Sequence, residues 1–292
     1  MADKTPPKPA AAAASKGGAG TKLDLASIAG LVVALGGIIG GLLLEGGKMA
    51  DLAQFTAGMI VLGGTIGAVM LTTPMPVLLS AAKRLTMVFF EKKLSSAQIM
   101  EEIISYAAKA RKNSIVSLEP DLDKIADPFL RKALSLAVDG TDLNALRGIM
   151  ELDIALEEKS AEAEAKVYEV AGGYAPTVGI IGAVLGLIQV MKHLENIDEV
   201  GRGIAVAFVA TVYGVGVANL FFLPTANKLR ARLHQMVHSK ELMLEGVCSI
   251  VEGLNPKLIR IKLEAFTREP APKEAPETAR KQPAQAAAAA KS

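Results

Sequence analysis

The chain has 292 residues, of which 51% are apolar, and its 32 basic side chains nearly balance 30 acidic ones. A net charge of +2 gives no electrostatic basis for nucleic-acid binding. A single cysteine, Cys248, excludes an intrachain disulfide and a cysteine metal cluster. The apolar residues are concentrated in a few long stretches, which indicates a membrane protein.

Four uncharged stretches are long enough to cross a bilayer, because a hydrocarbon core of about 30 Å requires roughly 20 helical residues. They cover residues 25–44, 52–82, 170–191 and 203–226. The second is long enough to tilt or to extend beyond the bilayer. The first is too long for a secretory signal, and a second span follows it closely. We therefore expect four transmembrane helices.

Basic residues flank these spans on one side. They lie in the N-terminal tail, after the second span and after the fourth: Lys4, Lys8, Lys16, Lys22, Lys83, Arg84, Lys92, Lys93, Lys228, Arg230 and Arg232. The turn between the third and fourth spans is mostly acidic. Since cytoplasmic loops carry an excess of Lys and Arg, both termini are expected in the cytoplasm.

The segment between the second and third spans reads as helical. Ser95 or Ser96 can begin a helix that should continue to Glu119, because the residue before Pro120 is biased away from helix. Asp127-Pro128 predicts a second helix start, and Asp139-Gly140 predicts a turn before a last helix from Leu143.

The C-terminal part predicts a helix over 228–253, and Asn255-Pro256 can cap another through Phe266. Residues 1–22 and 267–292 are rich in Ala, Pro and Lys and are expected to be disordered tails. The predicted fold is an all-α integral membrane protein with four transmembrane helices. A helical cytoplasmic domain separates spans 2 and 3, and cytoplasmic helices follow span 4. The expected boundaries are 23–82 for the first two spans, 83–169 for the cytoplasmic domain, 170–226 for the last two spans and 227–266 for the final helices.

Enzyme signatures such as a phosphate-binding loop, a zinc-protease motif or a nucleophile elbow are missing from the sequence, so we expect no enzyme and no cofactor. His234 and His238 have the spacing of two metal ligands on one helix face, but solvent-facing histidines are the more ordinary interpretation. Spans three and four contain no Asp, Glu, Lys or His. A proton or ion relay normally needs an ionisable group in the membrane, so a partner would have to supply the carboxylate. Hydroxyls and prolines at helix ends are also ordinary structural features. In these spans they include Tyr174, Thr177, Thr211, Tyr213, Pro176 and Pro224.

Over residues 24–266 the sequence resembles the MotA/PomA family of flagellar stators. The stretches that carry the resemblance occur in order: 110–112 ending in Leu118-Glu119, Asp127-Pro128-Phe129, Val138-Asp139-Gly140, 174–187, 203–214, Ala218-Asn219-Leu220 and Phe222-Leu223-Pro224. Their order and spacing make the resemblance specific.

The resemblance implies a homo-oligomer, a five-membered ring in the bacterial inner membrane, around a dimer of a MotB-like partner. That single-span, wall-anchoring partner would supply the ion-binding aspartate. Ion passage would turn the ring, and the cytoplasmic domain would push on the rotor protein FliG. Arg111 and Glu119 match the two rotor-facing charges of the family, with Lys112 beside the first. On one continuous helix they would lie about 12 Å apart.

The resemblance also implies an ion path. Pro176 and Pro224 match the family's prolines at the cytoplasmic ends of spans three and four, and Thr211 matches a threonine that faces the ions. Thr177 and Tyr213 are added as candidates for the same path. Ala183 stands where sodium-driven members resemble one another in having threonine. Because a methyl group offers Na⁺ no oxygen ligand, the expected translocated ion is H⁺.

Two other classes remain open. An ExbB/TolQ-like energiser of outer-membrane processes typically resembles a three-span protein with its N-terminus outside, unlike the four spans expected here. A transporter or channel acting alone would need an ionisable or substrate-binding group in its spans.

Overall fold

The computed structural model describes residues 21–92 and 96–267. Its elements are β1 (Thr21–Leu23), α1 (Leu25–Leu44), α2 (Met49–Leu52), α3 (Phe55–Thr72), α4 (Met75–Arg84), α5 (Thr86–Phe89), β2 (Phe90–Lys92), α6 (Ser96–Asn113), α7 (Pro128–Val138), α8 (Leu143–Lys192), α9 (Ile197–Val217), α10 (Leu223–Val251) and α11 (Pro256–Thr267). A 3₁₀ segment occupies Ile115–Lys124, and a π-helical turn occupies Ala218–Phe222. The tails predicted at 1–22 and 267–292 lie outside the described residues, apart from 21, 22 and 267.

Four helical segments are long and apolar enough to cross a membrane: α1, α3, α8 and the continuous stretch from α9 through α10. The expected all-helical class with four spans is confirmed. The described residues also contain a short antiparallel ribbon, in which Thr21–Leu23 pairs with Phe90–Lys92. The sequence pattern did not predict this ribbon, because three residues are too few to show strand alternation.

The uncharged stretch over 52–82 is long enough to tilt or to extend beyond the bilayer, but it does not form one continuous helix. The chain ends α3 at Thr72, is extended at Thr73 and Pro74, and starts again as α4 at Met75. A proline disfavours helix in the residue before it, which accounts for the extended Thr73. Pro74 and Pro76 were the signal for this break.

The chain divides into two compact units. The described part of the first comprises 21–92 and 151–237 and contains most of the apolar spans. One of its buried clusters includes Val69, Ala81, Val88, Ala165 and Leu229. Beside this cluster, the buried Tyr168 hydroxyl donates a 2.9 Å hydrogen bond to the Ala81 carbonyl. Burial raises the pKa of Tyr168, so the phenol stays protonated as a donor.

The described part of the second unit comprises 96–150 and 238–267. Its core is aliphatic, and its largest fully buried side chains are Ile99, Ile103, Leu118, Ile125, Leu130, Leu134, Leu146, Met150, Leu242, Met243, Ile259 and Leu263. The predicted helix starts at Pro128 and Pro256 are confirmed, because Asp127 accepts from two backbone amides and Asn255 accepts from one. Gly140 has a φ of 78° in the predicted turn, a conformation that favours glycine.

Candidate functional site

The centre of the first unit is a close crossing of α8 and α9. A Cβ atom on Gly179 would lie 2.9 Å from the Ala210 carbonyl oxygen, and one on Gly214 would lie 2.6 Å from the Ala175 carbonyl oxygen. Further along, a Cβ atom on Gly186 would lie 2.8 Å from Ala207 N. Small residues thus let the two backbones touch, as is typical of membrane helix pairs.

A further helix, α3, packs against the α8–α9 pair. Ala57 and Val61 of α3 form a buried cluster with Val209 and Ala210 of α9. On the same face of α3, a Cβ atom on Gly64 would lie 2.7 Å from a Val178 methyl group of α8. The α8–α9 pair therefore has one face covered within its own chain.

Another set of side chains on α8 and α9 is exposed in this chain. It is strongly apolar and consists of Ile180, Ile181, Val184, Leu185, Leu187, Ile188, Ile204, Phe208, Val212 and Val215. Large exposed apolar surfaces mark contacts with lipid or with other protein. Within the membrane, this set therefore requires lipid, another copy of the chain or a partner span.

The hydroxyl candidates for the ion path lie on these two helices. Thr177 is exposed and donates a 2.8 Å hydrogen bond to the Tyr174 carbonyl. Thr211 is half-buried and donates a 3.2 Å hydrogen bond to the Ala207 carbonyl. Ala183 is also half-buried on α8. Each hydroxyl is satisfied by its own helix, so its oxygen remains available as an acceptor for a passing hydrated ion.

Tyr213 makes a different contact from the other candidates. Its hydroxyl donates a hydrogen bond to the Leu52 carbonyl at the end of α2, and its ring lies beside Gly58 of α3. The tyrosine therefore attaches α9 to the start of α3. Its assignment to the ion path remains a prediction.

The two prolines lie where α8 meets α10. Pro176 has no N–H to donate to the Gly172 carbonyl, and a Cβ atom on Gly172 would lie 2.6 Å from a Leu223 methyl group. Leu223 directly precedes Pro224 and donates its N–H to the Ala218 carbonyl in the π-helical turn. The missing hydrogen bond at Pro176 and the irregular one before Pro224 thus both lie next to the contact between Gly172 and Leu223. The sequence did not predict the π turn.

The charged candidates lie in the second unit at a break in the chain. Arg111 and Lys112 are in the last turn of α6, whereas Glu119 is in the 3₁₀ segment that follows. Ser114 between them has a φ of 75°, which is unusual for a residue with a side chain. The expectation of one continuous helix from Arg111 to Glu119 was therefore wrong.

A neighbouring set of charges holds this break in place. Asp121 forms ion pairs with Lys109 of α6 and, at 2.9 Å, with Lys124. Hydrogen bonds from Lys109 and then Lys124 lower the pKa of Asp121. Leu118, within the 3₁₀ segment, is buried. By contrast, Arg111, Lys112 and Glu119 are exposed, and none of the three forms an ion pair with another described residue.

The histidines have separate surroundings. His238 lies with its Nε2 2.6 Å from the Phe266 carbonyl oxygen, and the two rings are 5.7 Å apart. His234 lines an open pocket of the first unit with Glu158, Glu162 and Arg230. Among the described residues, no group of three His, Cys, Asp or Glu side chains is placed to hold a metal ion.

These features define a class of protein: a four-span helical membrane protein whose third and fourth spans, residues 170–191 and 203–226 of the tightly packed α8–α9 region, carry hydroxyls but no carboxylate. Residues 121–242 match the profile of the MotA/TolQ/ExbB proton channel family, and residues 28–113 match that of the motility protein A N-terminal region. The chain is 36% identical over 242 residues to motility protein A of Bacillus subtilis, covering 82% of this chain and 90% of that protein. It is 30% identical over 247 residues to the chemotaxis protein PomA of Vibrio alginolyticus, covering 85% of this chain and 96% of that protein.

Two solved structures show the same fold. A chain of the Campylobacter jejuni MotAB structure aligns with a TM-score of 0.80 at 30% identity, over 87% of this chain and all of that one. A chain of the flagellar MotAB stator complex from Bacillus subtilis aligns with a TM-score of 0.78 at 35% identity, over 84% and 96%. The chain belongs to the motility protein A family.

Proposed function

We propose that this chain is the stator subunit of a bacterial flagellar motor and that, with a MotB-like partner, it converts ion flow into torque. The relatives that support this function are named motility protein A and PomA, and one of the similar structures is a flagellar MotAB stator complex. The four-span architecture and the paired α8–α9 helices are the structural basis of the proposal.

The observation that carries the proposal is the incomplete ion site. The α8–α9 pair offers Thr177 and Thr211 and an exposed apolar face, but its membrane-spanning parts, residues 170–191 and 203–226, contain no carboxylate that could hold a proton. An ion relay needs such a group. A partner span with an aspartate, docked on this face, would complete the path and cover the apolar side chains.

The proposed complex is a homo-oligomer, a pentamer, embedded in membrane lipid around the partner dimer. None of the 20 residues of α1 is buried in the described chain. A span that buries none of its residues fully within its own chain needs lipid or another copy as its neighbour. The proposed location is the bacterial inner membrane with both termini in the cytoplasm, because Lys and Arg flank the spans on that side.

The proposed rotor contact is the exposed charge pattern of Arg111, Lys112 and Glu119, and the proposed rotor protein is FliG. Internal ion pairs engage the nearby Lys109, Asp121 and Lys124, so the three remaining charges are available to a partner. Exposed charges of both signs favour steering and specificity over raw affinity, which suits a surface that must bind and release.

The proposed coupling ion is H⁺. Ala183 of α8 contributes only a methyl group, and it is half-buried. Sodium requires several oxygen ligands as it sheds water, whereas a proton needs only the partner carboxylate and a chain of water or hydroxyl groups.

The shared proton channel profile over 121–242 also includes TolQ and ExbB, which drive other envelope machinery. The match of 28–113 to the motility protein A N-terminal region favours the flagellar function.

The test is a deletion strain whose cells are examined for filaments and for swimming. The proposal predicts flagellated, paralysed cells that swim again when the gene is restored, and co-purification of a single-span, wall-binding partner. Normal swimming with defective envelope uptake would support the ExbB/TolQ-like alternative instead.

A further inference from the structure

Asp24, directly before α1, is a buried carboxylate with three donors. Its exposed fraction is 8%. One oxygen accepts from the Ser27 amide at 3.2 Å, and the other lies 2.5 Å from Lys228 Nζ and 2.8 Å from an Arg232 guanidinium nitrogen. Lys228 and Arg232 are four apart on α10 and therefore share one face. Their hydrogen bonds, that of Lys228 first, hold the pKa of Asp24 far below its usual range.

The same arginine reaches a third segment of the chain. Arg232 also donates a 3.4 Å hydrogen bond to the Val88 carbonyl in α5. The backbone just before Asp24 pairs with Phe90–Lys92 in the β1–β2 ribbon. The entry to α1, the end of α5 and the face of α10 are therefore joined at one point, which we call the Asp24 clamp: Asp24, Lys228 and Arg232.

Packing does little to hold α1 elsewhere within the described chain. α3 buries Ala57, Val61, Thr65 and Val69, whereas α1 buries no residue along its length. Moving α1 away from α10 would leave the buried Asp24 carboxylate without its cationic partners, and an uncompensated buried charge is costly. The clamp is therefore a specific attachment of α1 to α10.

The attachment falls immediately beyond the π turn and Pro224 of the fourth span. Lys228 is four residues after Pro224, and Arg232 is one turn further on. The π turn and Pro224 together lack regular helical hydrogen bonds. Any bending there displaces the first turns of α10, which are the turns that bind Asp24.

We propose that Asp24 is a positioning residue that makes the first span move with α10 when α9 and α10 bend at Pro224 during the ion-driven cycle. The proposal rests on the stator function proposed above. It adds α1 to the helices that move, and it names Lys228 and Arg232 as the side chains through which movement of α10 reaches α1.

Helix capping is the competing role, because Asp24 also caps α1. Asparagine caps a helix as well as aspartate does but cannot form the ion pairs. Asp24→Asn therefore removes the clamp and keeps the cap, whereas Asp24→Glu keeps the charge and weakens the cap. Arg232→Gln removes one side of the clamp from the other helix.

The first measurement is the distance between spin labels on α1 and α10, which does not depend on motility. Leu25 and Asn227 are exposed positions for introduced cysteines, whereas the native Cys248 is buried and burial raises the pKa of its thiol. Labelled chain is diluted with unlabelled chain in the purified complex with its partner. We expect one narrow distance distribution in the parent and in Asp24→Glu, and a broader, longer one in Asp24→Asn and Arg232→Gln.

The second measurement is stall torque in the deletion strain at equal membrane levels of each variant. We expect torque to fall severalfold in Asp24→Asn and in Arg232→Gln, with the double variant no worse than Asp24→Asn, because that variant has already lost the Asp24–Arg232 pair. An unchanged distance distribution and full torque in Asp24→Asn would overturn the proposal. The proposal would also be overturned if torque fell only in proportion to the amount of variant protein lost from the membrane. If the parent gene restores no torque, the stator function fails, and the label distances still decide whether the clamp positions α1.

Discussion

Gly179 of α8 and Gly214 of α9 face each other so closely that neither position has room for a methyl group. A Cβ atom on Gly214 would lie 3.0 Å from the Gly179 Cα atom, in addition to its contact with the Ala175 carbonyl. Backbone atoms cannot move aside as a flexible side chain can. This contact sets the spacing of the two helices that carry Thr177 and Thr211.

Gly214→Ala is therefore expected to push α9 away from α8 and to lower both torque and the thermal stability of the purified complex. The expected loss of folding free energy is about 1–3 kcal/mol, the usual range for overpacking. Gly216→Ala on the same helix is the matched control, because nothing lies within 4 Å of a Cβ atom there. Equal behaviour of the two variants in a thermal melt and a swimming assay would contradict the close crossing.

Tyr213→Phe is expected to weaken the attachment of α9 to α3. The change removes the hydroxyl that donates to the Leu52 carbonyl, and a net hydrogen bond contributes about 0.5–1.5 kcal/mol. Tyr174→Phe serves as the control, because no hydrogen bond from that hydroxyl to a described residue is present. The thermal midpoint should fall for Tyr213→Phe only. If ion flow falls while the midpoint stays constant, the tyrosine acts in the ion path instead.

Much of this architecture could be predicted from local sequence signals, and the misses have physical causes. Asp127 and Asn255 cap helices where expected, since a cap depends on only a few neighbouring residues. The left-handed conformation at Ser114 has no such signal, because neither glycine nor asparagine occupies the position. The break at Thr73 did have a signal in Pro74 and Pro76.

In the candidate site, too, some features could be predicted from the sequence and others could not. The hydroxyls and prolines of spans three and four were evident from residue type, but their contacts depend on tertiary packing. The bond from Tyr213 to Leu52 joins residues 161 positions apart, and the π turn lies next to Pro224 and to the contact of Leu223 with Gly172. Periodicity in one helix contains no information about either.

Arg111→Glu and Glu119→Lys are each expected to impair torque while the protein remains in the membrane at its normal level. Both residues are exposed, so reversing their charge should cost little folding stability. Lys257→Glu is a matched control, since Lys257 is an exposed residue of the same unit. Torque is measured on tethered cells. Normal motility of both test variants would refute the rotor contact, and so would an equal loss in the control.

Swimming is expected to stop when a protonophore collapses the proton gradient and to continue when sodium is replaced by potassium. The reason is the methyl group of Ala183, which provides no oxygen ligand for Na⁺. Swimming speed is recorded by video tracking at constant external pH. Dependence on sodium with resistance to the protonophore would show that the coupling ion is Na⁺.

The most direct test of the stator function is the speed of a single motor under load while this gene is induced in the deletion strain. A bead attached to a filament stub reports the rotation. If the chain is a stator subunit, a stationary bead starts to turn and its speed rises in discrete, similar steps as complexes join the motor, whereas the same strain expressing Arg111→Glu gains much smaller steps. A bead that remains stationary at full membrane levels of the chain and its partner, or one that turns before induction, would contradict the account.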